Sequence, residues 1–541
     1  MFLQRFSKFH ALIGILLASV SSLLSQSVSL PTTHEVYDFL KRVEARGILK
    51  NYRDATKPLS RKDIAGHLLS LEGLRGELTN VERDTYEYLK SEFSYELGSL
   101  GGDPEPTDLR WHLLSLDLNQ GIMNLDLNGQ LRWDGPKGQT VRYRGQGVRF
   151  YGYAFKNVGF QFNFIDYRET GPGRNAGKLN TPDPGIVLTS GKENAIEYNT
   201  TEAQLSFQTG SFQFSLEKMH NVWGYGERGN VILSRKAPSY PQIKMRVPLS
   251  SWMDFIYVLA DLNSNVIDSA RSYTAYSPAG VPFFRRVDRQ KYMAAHVLEF
   301  TVIDGLDFSL GESVIYSDKG IQLMYLIPVM LFKSGEHYNR DTDNIQWFGS
   351  LDVNLIPKFN LNLSLLIDEL TTDDLLRPTS ARNQLGYTAG IHTYDLGLEN
   401  LELIAEYTRL NPWVYSHKYP AATFTNNGYD LGHWIGQNAD NLYLEARYLP
   451  IRPLRVGTFY ERYRKGGLDD IAYQYRLPSK QFLYGPIRKE SSIGFYGKYQ
   501  FARDGFLDGM LRWTTVSDEA FPNLNANGAP EFSVRISYGI W

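Results

Sequence analysis

Alternation of apolar and polar side chains at every second position constrains this chain more than any other feature, because it recurs along most of its length. Between Ala203 and Leu216, apolar residues alternate with Gln and Ser on both sides of a Thr209-Gly210 turn. The pattern recurs from Leu351 to Ile367 around Pro357-Lys358, and again from Leu442 to Thr458. A period of two with intervening turn residues predicts β-hairpins that have one apolar and one polar face.

Such hairpins fit either an array of soluble sandwiches or a transmembrane barrel. The connections favour the barrel, because tight turns alternate with long polar segments such as Glu169–Ala195 and Tyr415–Asp440. Tyr151 and Tyr153 stand near a strand end, where aromatic rings suit the bilayer interface. The last strand, Phe532–Trp541, ends in an aromatic residue, as does the usual signal for outer-membrane assembly machinery. We therefore predict an all-β transmembrane barrel.

The length of the alternating region sets the size of the barrel. At roughly 24 residues for each strand with its connection, residues 108–541 provide about 18 antiparallel strands, with 16 as the alternative. A barrel of this width encloses a lumen that is either a water-filled channel or plugged.

The first hundred residues differ from the rest. Arg5 and Lys8 precede the apolar run Ala11–Leu24, so residues 1–26 are interpreted as a secretory signal peptide. Residues 31–100 are predicted to form three short helices on the periplasmic side, the first capped by Thr32 or Thr33. Thr79 and Glu82 provide a capping box for the third helix. A stretch within this region also resembles half of an S-layer-homology unit, which leaves a wall-associating role open.

Composition excludes several classes of function. Lys+Arg total 57 and Asp+Glu total 59, so the net charge of -2 lacks the basic character that nucleic acid selects. The chain has no cysteine, which removes disulfides and thiolate metal sites. Its 10 histidines lack a paired spacing such as H-E-x-x-H. We therefore expect no enzymatic activity, no cofactor and no bound metal.

One predicted external loop combines aromatic rings with hydrogen-bonding groups, the two features that bind sugar ring faces and hydroxyls. The candidate polysaccharide-binding residues are Trp413, Tyr415, His417, Tyr419, Asn427 and Tyr429. The alternative is an ordinary aromatic girdle followed by a polar loop. Asp368, Asp373 and Asp374 are further candidates for binding sugar hydroxyls or a cation, unless they are solvated or paired with lumen arginines.

A glycine-rich segment, Trp223–Pro241, lies beside a strand and concentrates aromatic and charged residues. Its glycines allow tight turns, and its charged residues are predicted to pair inside a polar lumen. The simpler interpretation is a structural loop folded into the barrel. The residues singled out as lying in the lumen or a loop are Trp223, Gly224, Gly226, Glu227, Arg228, Gly229, Ser234 and Pro238.

This segment and four others occur in an order that resembles the Wzi-like capsule assembly proteins of the outer membrane, especially their Bacteroidota versions. The other four are Tyr325–Pro328, Leu365–Asp374, Glu406–His417 and Leu431–Asn438. The resemblance implies an 18-stranded barrel with a periplasmic helical bundle. It also implies a lectin-like, non-enzymatic protein that holds or organises capsular polysaccharide at the surface of a Gram-negative cell.

The predicted function is therefore binding of surface polysaccharide in capsule assembly or attachment. The alternative is a porin-type transport channel with a wall-associating helical region, and a role in gliding or adhesion is a third possibility. A plugged lumen favours the first, and a continuous water path favours the porin. The expected partners are capsular polysaccharide, outer-membrane lipids and the barrel assembly machinery, and we expect a monomer.

Overall fold

Consecutive antiparallel hairpins account for most of the chain. The computed structural model describes residues 28–102, 112–118, 121–135, 139–155, 157–192, 194–210, 212–370, 383–474, 476 and 480–540. Within these residues, eighteen long strands each pair with the next, and the last pairs with the first through Phe532–Tyr538 and Gly129–Gly135. The strands form a closed barrel, so the 18-stranded prediction is confirmed and the 16-stranded and sandwich alternatives are wrong.

The barrel strands are numbered in chain order. They are β1 (Gly121–Gly135), β2 (Val141–Ala154), β3 (Val158–Thr170), β4 (Ala195–Thr209), β5 (Phe212–Met219), β6 (Tyr240–Ser250), β7 (Met253–Ile267), β8 (Asp288–Ile303), β9 (Leu306–Ser317), β10 (Asn344–Ile356), β11 (Phe359–Glu369), β12 (Gln384–Tyr394), β13 (Leu401–Leu410), β14 (Ala439–Ile451), β15 (Leu454–Lys465), β16 (Arg488–Ala502), β17 (Gly505–Asp518) and β18 (Ala526–Tyr538).

Shorter strands supplement the barrel. Leu114–Leu118 pairs with β1 and Leu188–Lys192 pairs with β4. Three small two-stranded sheets are formed by Thr56–Lys57 with Val222–Trp223, Tyr273–Tyr276 with Pro282–Arg285, and Thr425–Asn426 with Tyr429–Asp430.

The tight turns lie at one end of the barrel and the long loops at the other. The predicted Thr209-Gly210 and Pro357-Lys358 turns are confirmed, with positive φ at Gly210 (56°) and Lys358 (72°). The predicted long segments are also confirmed, since residues 171–194 join β3 to β4 and residues 411–438 join β13 to β14. Short turns face the periplasm in bacterial barrels, so the long loops mark the external end.

Each strand has one face towards the lumen and one face towards the outside of the barrel. On β7, Ile256, Val258 and Ala260 belong to a buried cluster inside the bore, and the alternate residues point outward. Polar side chains line other parts of the inner wall: the Asn360 amide donates to Asp352 at 2.7 Å and to Asn354 at 2.9 Å. The outer face instead exposes large apolar side chains, including Leu131, Leu361, Phe495, Leu511 and Ile536. An apolar outer band matches the hydrocarbon core of a bilayer.

The prediction that Tyr151 and Tyr153 lie at the bilayer interface is wrong. Both side chains are buried on the lumen side, where they contact the N-terminal helices. The Tyr153 hydroxyl hydrogen-bonds the Glu96 carboxylate at 2.5 Å, and the Arg61 guanidinium lies 5.1 Å from the centre of the Tyr151 ring. Alternation placed these rings on one face, but the helices rather than lipid cover that face.

Among the residues described before the barrel are four α-helices: α1 (Val36–Ala45), α2 (Arg61–Ser70), α3 (Asn80–Glu92) and α4 (Ser94–Ser99). The capping box is confirmed, since Glu82 N donates to Thr79 Oγ1 at 3.2 Å and Thr79 N to Glu82 Oε2 at 2.8 Å. The expected cap at Thr32 or Thr33 is wrong, because α1 follows Glu35 without a side-chain cap. The expected third helix is divided at Phe93. No helix in the described part of the chain is long and apolar enough to cross a membrane.

Buried ion pairs fix the helices to the short-turn end of the barrel. Arg42 of α1 bonds both Glu82 of α3 and Asp395 in the β12–β13 turn. Within the helical region, Arg61 pairs with Glu92 at 3.0 Å and Glu96 at 2.6 Å. Removing one member of such a pair leaves a charge buried without its partner. The helical region is therefore held in one position under the bore.

Two external loops fill the bore from the opposite side. One contains residues 220–239, between β5 and β6, and the other contains residues 411–438; together they are called the plug. Gly224 N donates to the carbonyl oxygen of Ala55 at 2.8 Å, so the first loop reaches the helical region. Val231, Leu233, Val414 and Ile435 of the plug pack in one buried cluster with the lumen side chains of β7 and β8. Helices and plug thus meet inside the barrel.

We expect Arg42→Ala to release the helical region and Lys50→Ala to leave it docked. The Arg42 and Asp395 side chains are only 9% and 6% exposed, whereas Lys50 and Asp304 are 64% and 57% exposed. Loss of a buried partner costs about 3–5 kcal/mol, against about 0–1 kcal/mol for an exposed pair. Limited proteolysis of residues 31–100 should show the difference. Equal cleavage rates for the two variants would contradict the docking role of Arg42.

We expect the intact protein to give no stable conductance in a planar bilayer, because the plug and helices meet in the bore. Excision of residues 224–236 should open a conducting path. The matched control removes residues 273–285, which form an exposed hairpin of the β7–β8 loop. A stable open conductance of the intact protein would show that the plug does not close the barrel.

Candidate functional site

The glycine-rich segment adopts a close-packed course through the bore. Gly224 has a positive φ of 108°, and a Cβ there would lie 2.9 Å from Ser364 Oγ on the wall. A Cβ on Gly226 would lie 2.0 Å from the carbonyl oxygen of Gly229. Neighbouring backbone amides bond the wall, since Glu227 N and Arg228 N donate to the Glu406 carboxylate at 2.5 and 3.0 Å. The absence of a Cβ thus allows Gly224 to lie close to the wall and Gly226 to lie in a tight turn of the segment.

Glu227 and Arg228 of this segment pair with the wall rather than with each other. Arg228 makes a two-pronged contact with Glu461, at 3.0 and 2.9 Å. Glu227 accepts a hydrogen bond from Arg447 at 2.5 Å. Trp223 is buried beside the helical region, while Ser234 and Pro238 bond the second plug loop through Leu431 and Asn426. The arrangement supports the interpretation as a structural loop folded into the barrel.

Three of the six candidate polysaccharide-binding residues are buried inside the plug. Trp413, Tyr415 and Tyr429 are only 1%, 3% and 7% exposed. The Tyr415 hydroxyl donates to the carbonyl oxygen of Val231 at 2.6 Å and accepts from His433 N at 3.1 Å, which joins the two plug loops. These rings therefore cannot stack on a sugar in this arrangement of the plug. Their assignment to glycan binding stays a prediction.

The other three candidates lie nearer the surface. Asn427 is partly buried and its backbone amide donates to the carbonyl oxygen of Asn263 at 3.1 Å. His417 and Tyr419 lie at the external end with ring centres 5.5 Å apart, and Tyr419 is 45% exposed. A glycan outside the cell can reach these two side chains without displacing the plug.

A polar cavity of about 150 Å³ opens beside His417 at the external rim. It lies between the plug, the external ends of β10 to β12, and helix α5 (Phe332–Tyr338) of the β9–β10 loop. We call this cavity the rim pocket; its principal lining residues are Glu336, Asp343, Asp368, Gln384, His417 and Lys418. At this size it accommodates part of a ligand, since sites for whole drug-sized ligands are roughly 300–1,000 Å³.

Asp368 is held in place by neighbours on both sides of the pocket. Gln346 Nε2 donates to one of its oxygens at 3.1 Å, and Tyr415 N donates to the other at 2.6 Å. Asp368 therefore connects the barrel wall to the plug and presents its carboxylate in the pocket. Asp373 and Asp374, the other two predicted carboxylates, lie outside the described residues.

Carboxylates outnumber cations around the rim pocket. The lining acids are Glu336, Asp341, Asp343, Asp368 and Glu369, and the lining cations are Lys333 and Lys418. Burial, with a smaller contribution from Lys418, lowers the pKa of His417 to about 4. The imidazole is therefore neutral at pH 7, and its Nδ1 accepts from Tyr419 N at 3.3 Å. The pocket offers mainly hydrogen-bond acceptors, which suit the hydroxyl groups of sugars.

Glu336, His337 and Asp341 each place one possible ligand atom within 4.8 Å of the others. Glu336 already pairs with Lys333, and the other two side chains are exposed. This geometry gives no reason to assign a metal, and the expectation of no metal stays a prediction.

Sequence reasoning missed Glu336, Asp343, Gln384 and Lys418. These residues come from separate stretches of the chain, and only the folded barrel rim brings them together. The apolar run Met324–Phe332, which polar residues follow, is the sequence signal that could have located part of the pocket. It indicates a loop that has one apolar and one polar face.

Both the sequence and the fold are similar to those of known proteins. The family model "Capsule assembly protein Wzi" matches residues 173–466, more than half of the chain. No curated protein sequence matches. Among solved structures, Wzi of Escherichia coli has a TM-score of 0.57 at 12% identity over 95% of this chain and 100% of its own. It is described as an outer-membrane protein involved in group 1 capsule assembly and as a carbohydrate-binding β-barrel.

Two other barrels are less similar. OprD from Pseudomonas aeruginosa gives a TM-score of 0.42 at 11% identity over 77% of this chain and 93% of its own. OccD3 from the same organism gives 0.43 at 12% identity over 77% and 90%. Because the family model covers more than half of the sequence, this chain is an outer-membrane β-barrel that belongs to the Wzi family of capsule assembly proteins.

Proposed function

We propose that the protein binds surface polysaccharide at the external end of the barrel and thereby assists capsule assembly or attachment. The observation that carries the proposal is the combination of a filled bore with an accessible polar pocket at the rim. Membership of the Wzi family supports it, as does the description of the similar Escherichia coli barrel as carbohydrate-binding. The plug disfavours the porin alternative, since a transport channel needs a continuous water path.

The rim pocket indicates the kind of sugar unit that fits. Its surplus of carboxylates repels an acidic sugar at close range, whereas the hydroxyl groups of a neutral sugar can donate to those oxygens. His417 and the exposed ring of Tyr419 offer a polar edge and an apolar face next to each other. We infer that a neutral, hydroxyl-rich unit of the polysaccharide enters the pocket.

The proposed function is binding of a glycan, with no catalysed reaction. A general base needs a pKa near the working pH, and burial holds the pKa of His417 at about 4. Its Nδ1 is already engaged by a backbone amide. These features suit an uncharged hydrogen-bonding group that positions a ligand.

We also propose that the protein is exported and inserted in the way that its sequence predicts. The leader at residues 1–26 is removed on export, residues 31–100 face the periplasm, and residues 108–541 are inserted by the barrel assembly machinery. The mature protein acts as a monomer surrounded by outer-membrane lipids. The apolar outer band supports contact with lipid.

We expect His417→Ala to weaken binding of purified capsular polysaccharide about three- to tenfold, the equivalent of one neutral hydrogen bond. Tyr276→Ala, at an exposed tyrosine of the β7–β8 hairpin, is the control and should bind normally. Titration calorimetry measures both affinities; equal affinity of the two variants would remove His417 from the site.

We expect cells without this protein to make capsular polysaccharide normally but to release more of it into the medium. The physical reason is the loss of the binding sites that hold the glycan at the surface. Polysaccharide in the cell-bound and medium fractions is measured after gentle sedimentation. A normal cell-bound capsule would contradict the proposed function.

A further inference from the structure

The β9–β10 loop, residues 318–343, lies against the outside of the barrel, and we call it the outer strap. Its Tyr325 and Phe332 share a buried cluster with Tyr257 of β7 and Val314 and Tyr316 of β9. The alternate residues of the same strands, such as Ile256 and Ile315, belong to the cluster inside the bore. Successive side chains of a strand point to opposite faces, so the strap covers the outer wall.

The side of the strap that faces away from the wall is strongly apolar. Leu323 is 77% exposed and Val329 is 82% exposed, and Ile327 and Leu331 are also exposed. Exposure of apolar side chains of this size to water is unfavourable. These residues continue the apolar outer band of the barrel, so hydrocarbon of the bilayer is the environment that fits them.

A buried carboxylate of the wall bonds the strap beside its apolar part. Glu312, the seventh residue of β9, points outward yet is only 3% exposed. Its carboxylate accepts from Phe332 N of the strap at 2.6 Å and from Trp347 Nε1 at 3.2 Å. His296 Nε2 lies 3.3 Å from the same carboxylate. In lipid, backbone amides must find partners within the protein, and Glu312 provides one for the strap.

An apolar groove of about 570 Å³ separates the strap from the wall. Pro328, Val329 and Leu331 form its strap side, and Leu298 and Leu310 form much of its wall side. A second apolar cavity of about 410 Å³ also borders Leu310 and continues along β10 and β11. The two cavities share Leu310 and Trp347 in their linings and together provide a largely apolar surface that suits a hydrocarbon chain.

The groove adjoins the rim pocket through three consecutive residues. Leu331 lines the groove, Phe332 is bonded to the wall, and Lys333 lines the rim pocket. Two residues apart, the Cα atoms of Leu331 and Lys333 are separated by at most about 7.6 Å. A polar cavity and an apolar groove are therefore arranged in sequence at the edge of the bilayer.

We propose that the rim pocket and the groove together form one site for a lipid-linked glycan. A sugar unit of the glycan occupies the rim pocket, and the acyl chain attached to the glycan lies in the groove between the strap and the wall. The polysaccharide is then held both by its sugars and by its lipid. This inference rests on the proposed function for the sugar part and adds the chemical class of the ligand.

The test uses the full protein in phospholipid nanodiscs and capsular glycan extracted with its lipid from the same cells. Binding is compared before and after alkaline removal of ester-linked acyl chains from the glycan. For the unmodified protein we expect removal of the chains to weaken binding at least tenfold. Unchanged affinity after deacylation would overturn the inference while leaving the proposed function intact. Failure of both preparations to bind would refute the two together.

Groove variants locate the acyl chain. Leu310→Trp places a bulky ring in the groove and should bind the intact glycan as weakly as the unmodified protein binds the deacylated one. Leu511→Trp is the matched control, because it replaces a leucine of similar exposure on the lipid face of β17, and it should bind normally. Leu298→Trp serves as a second groove variant should Leu310→Trp fail to fold. Normal binding by a folded groove variant would overturn the inference.

A competition experiment separates this ligand from bulk lipid. Phosphatidylethanolamine added in excess should not displace the intact glycan, because it lacks the sugar that fills the rim pocket. Displacement by phosphatidylethanolamine at equal concentration would mean that the groove holds ordinary bilayer lipid only.

Discussion

The requirement that each backbone amide and carbonyl in the bilayer find a partner within the protein governs this structure. The ladder between β18 and β1 meets the requirement for the barrel by removing its last free edge. The same requirement applies to the outer strap, which is irregular and lies against the lipid-facing wall. A carboxylate on that wall would be costly alone, yet Glu312 is bonded by the strap amide and the indole of Trp347. Closure of the barrel and the bond between Glu312 and the strap both give backbone groups in the bilayer a partner within the protein.

Eighteen strands create a second problem, since a barrel of this width encloses more space than its own inward side chains fill. Helices from one end and loops from the other occupy that space. Their charges are matched to the wall, as with Arg228 and Glu461 or Arg42 and Asp395. Buried ion pairs contribute little net stability but make one arrangement strongly preferred over others in which a charge is left alone. The plug consequently has a defined position, and that position shapes the rim pocket.

The barrel could be predicted from the sequence because its signal is local. Alternation over a few residues, tight turns such as Pro357-Lys358, and the Thr79 capping box each depend on near neighbours along the chain. Alternation does not reveal what covers a face, so it predicts the bilayer interface for Tyr151 and Tyr153 although helices cover them. The candidate site was harder still. Trp413 and Tyr415 resemble sugar-binding rings in sequence, but they pack in a loop that returns into the bore. The residues of the rim pocket share no spacing, because distant strand ends bring them together.

The small sheet between Thr56–Lys57 and Val222–Trp223 joins the helical region to the first plug loop. Its first strand precedes the barrel in the chain, and its second follows β5, so the contact connects segments on either side of the first five barrel strands. The helical region lies at the short-turn end of the bore, and the loop enters from the external end. Paired backbone therefore runs from one end of the bore towards the other, and a displacement of the helical region is transmitted mechanically to the plug.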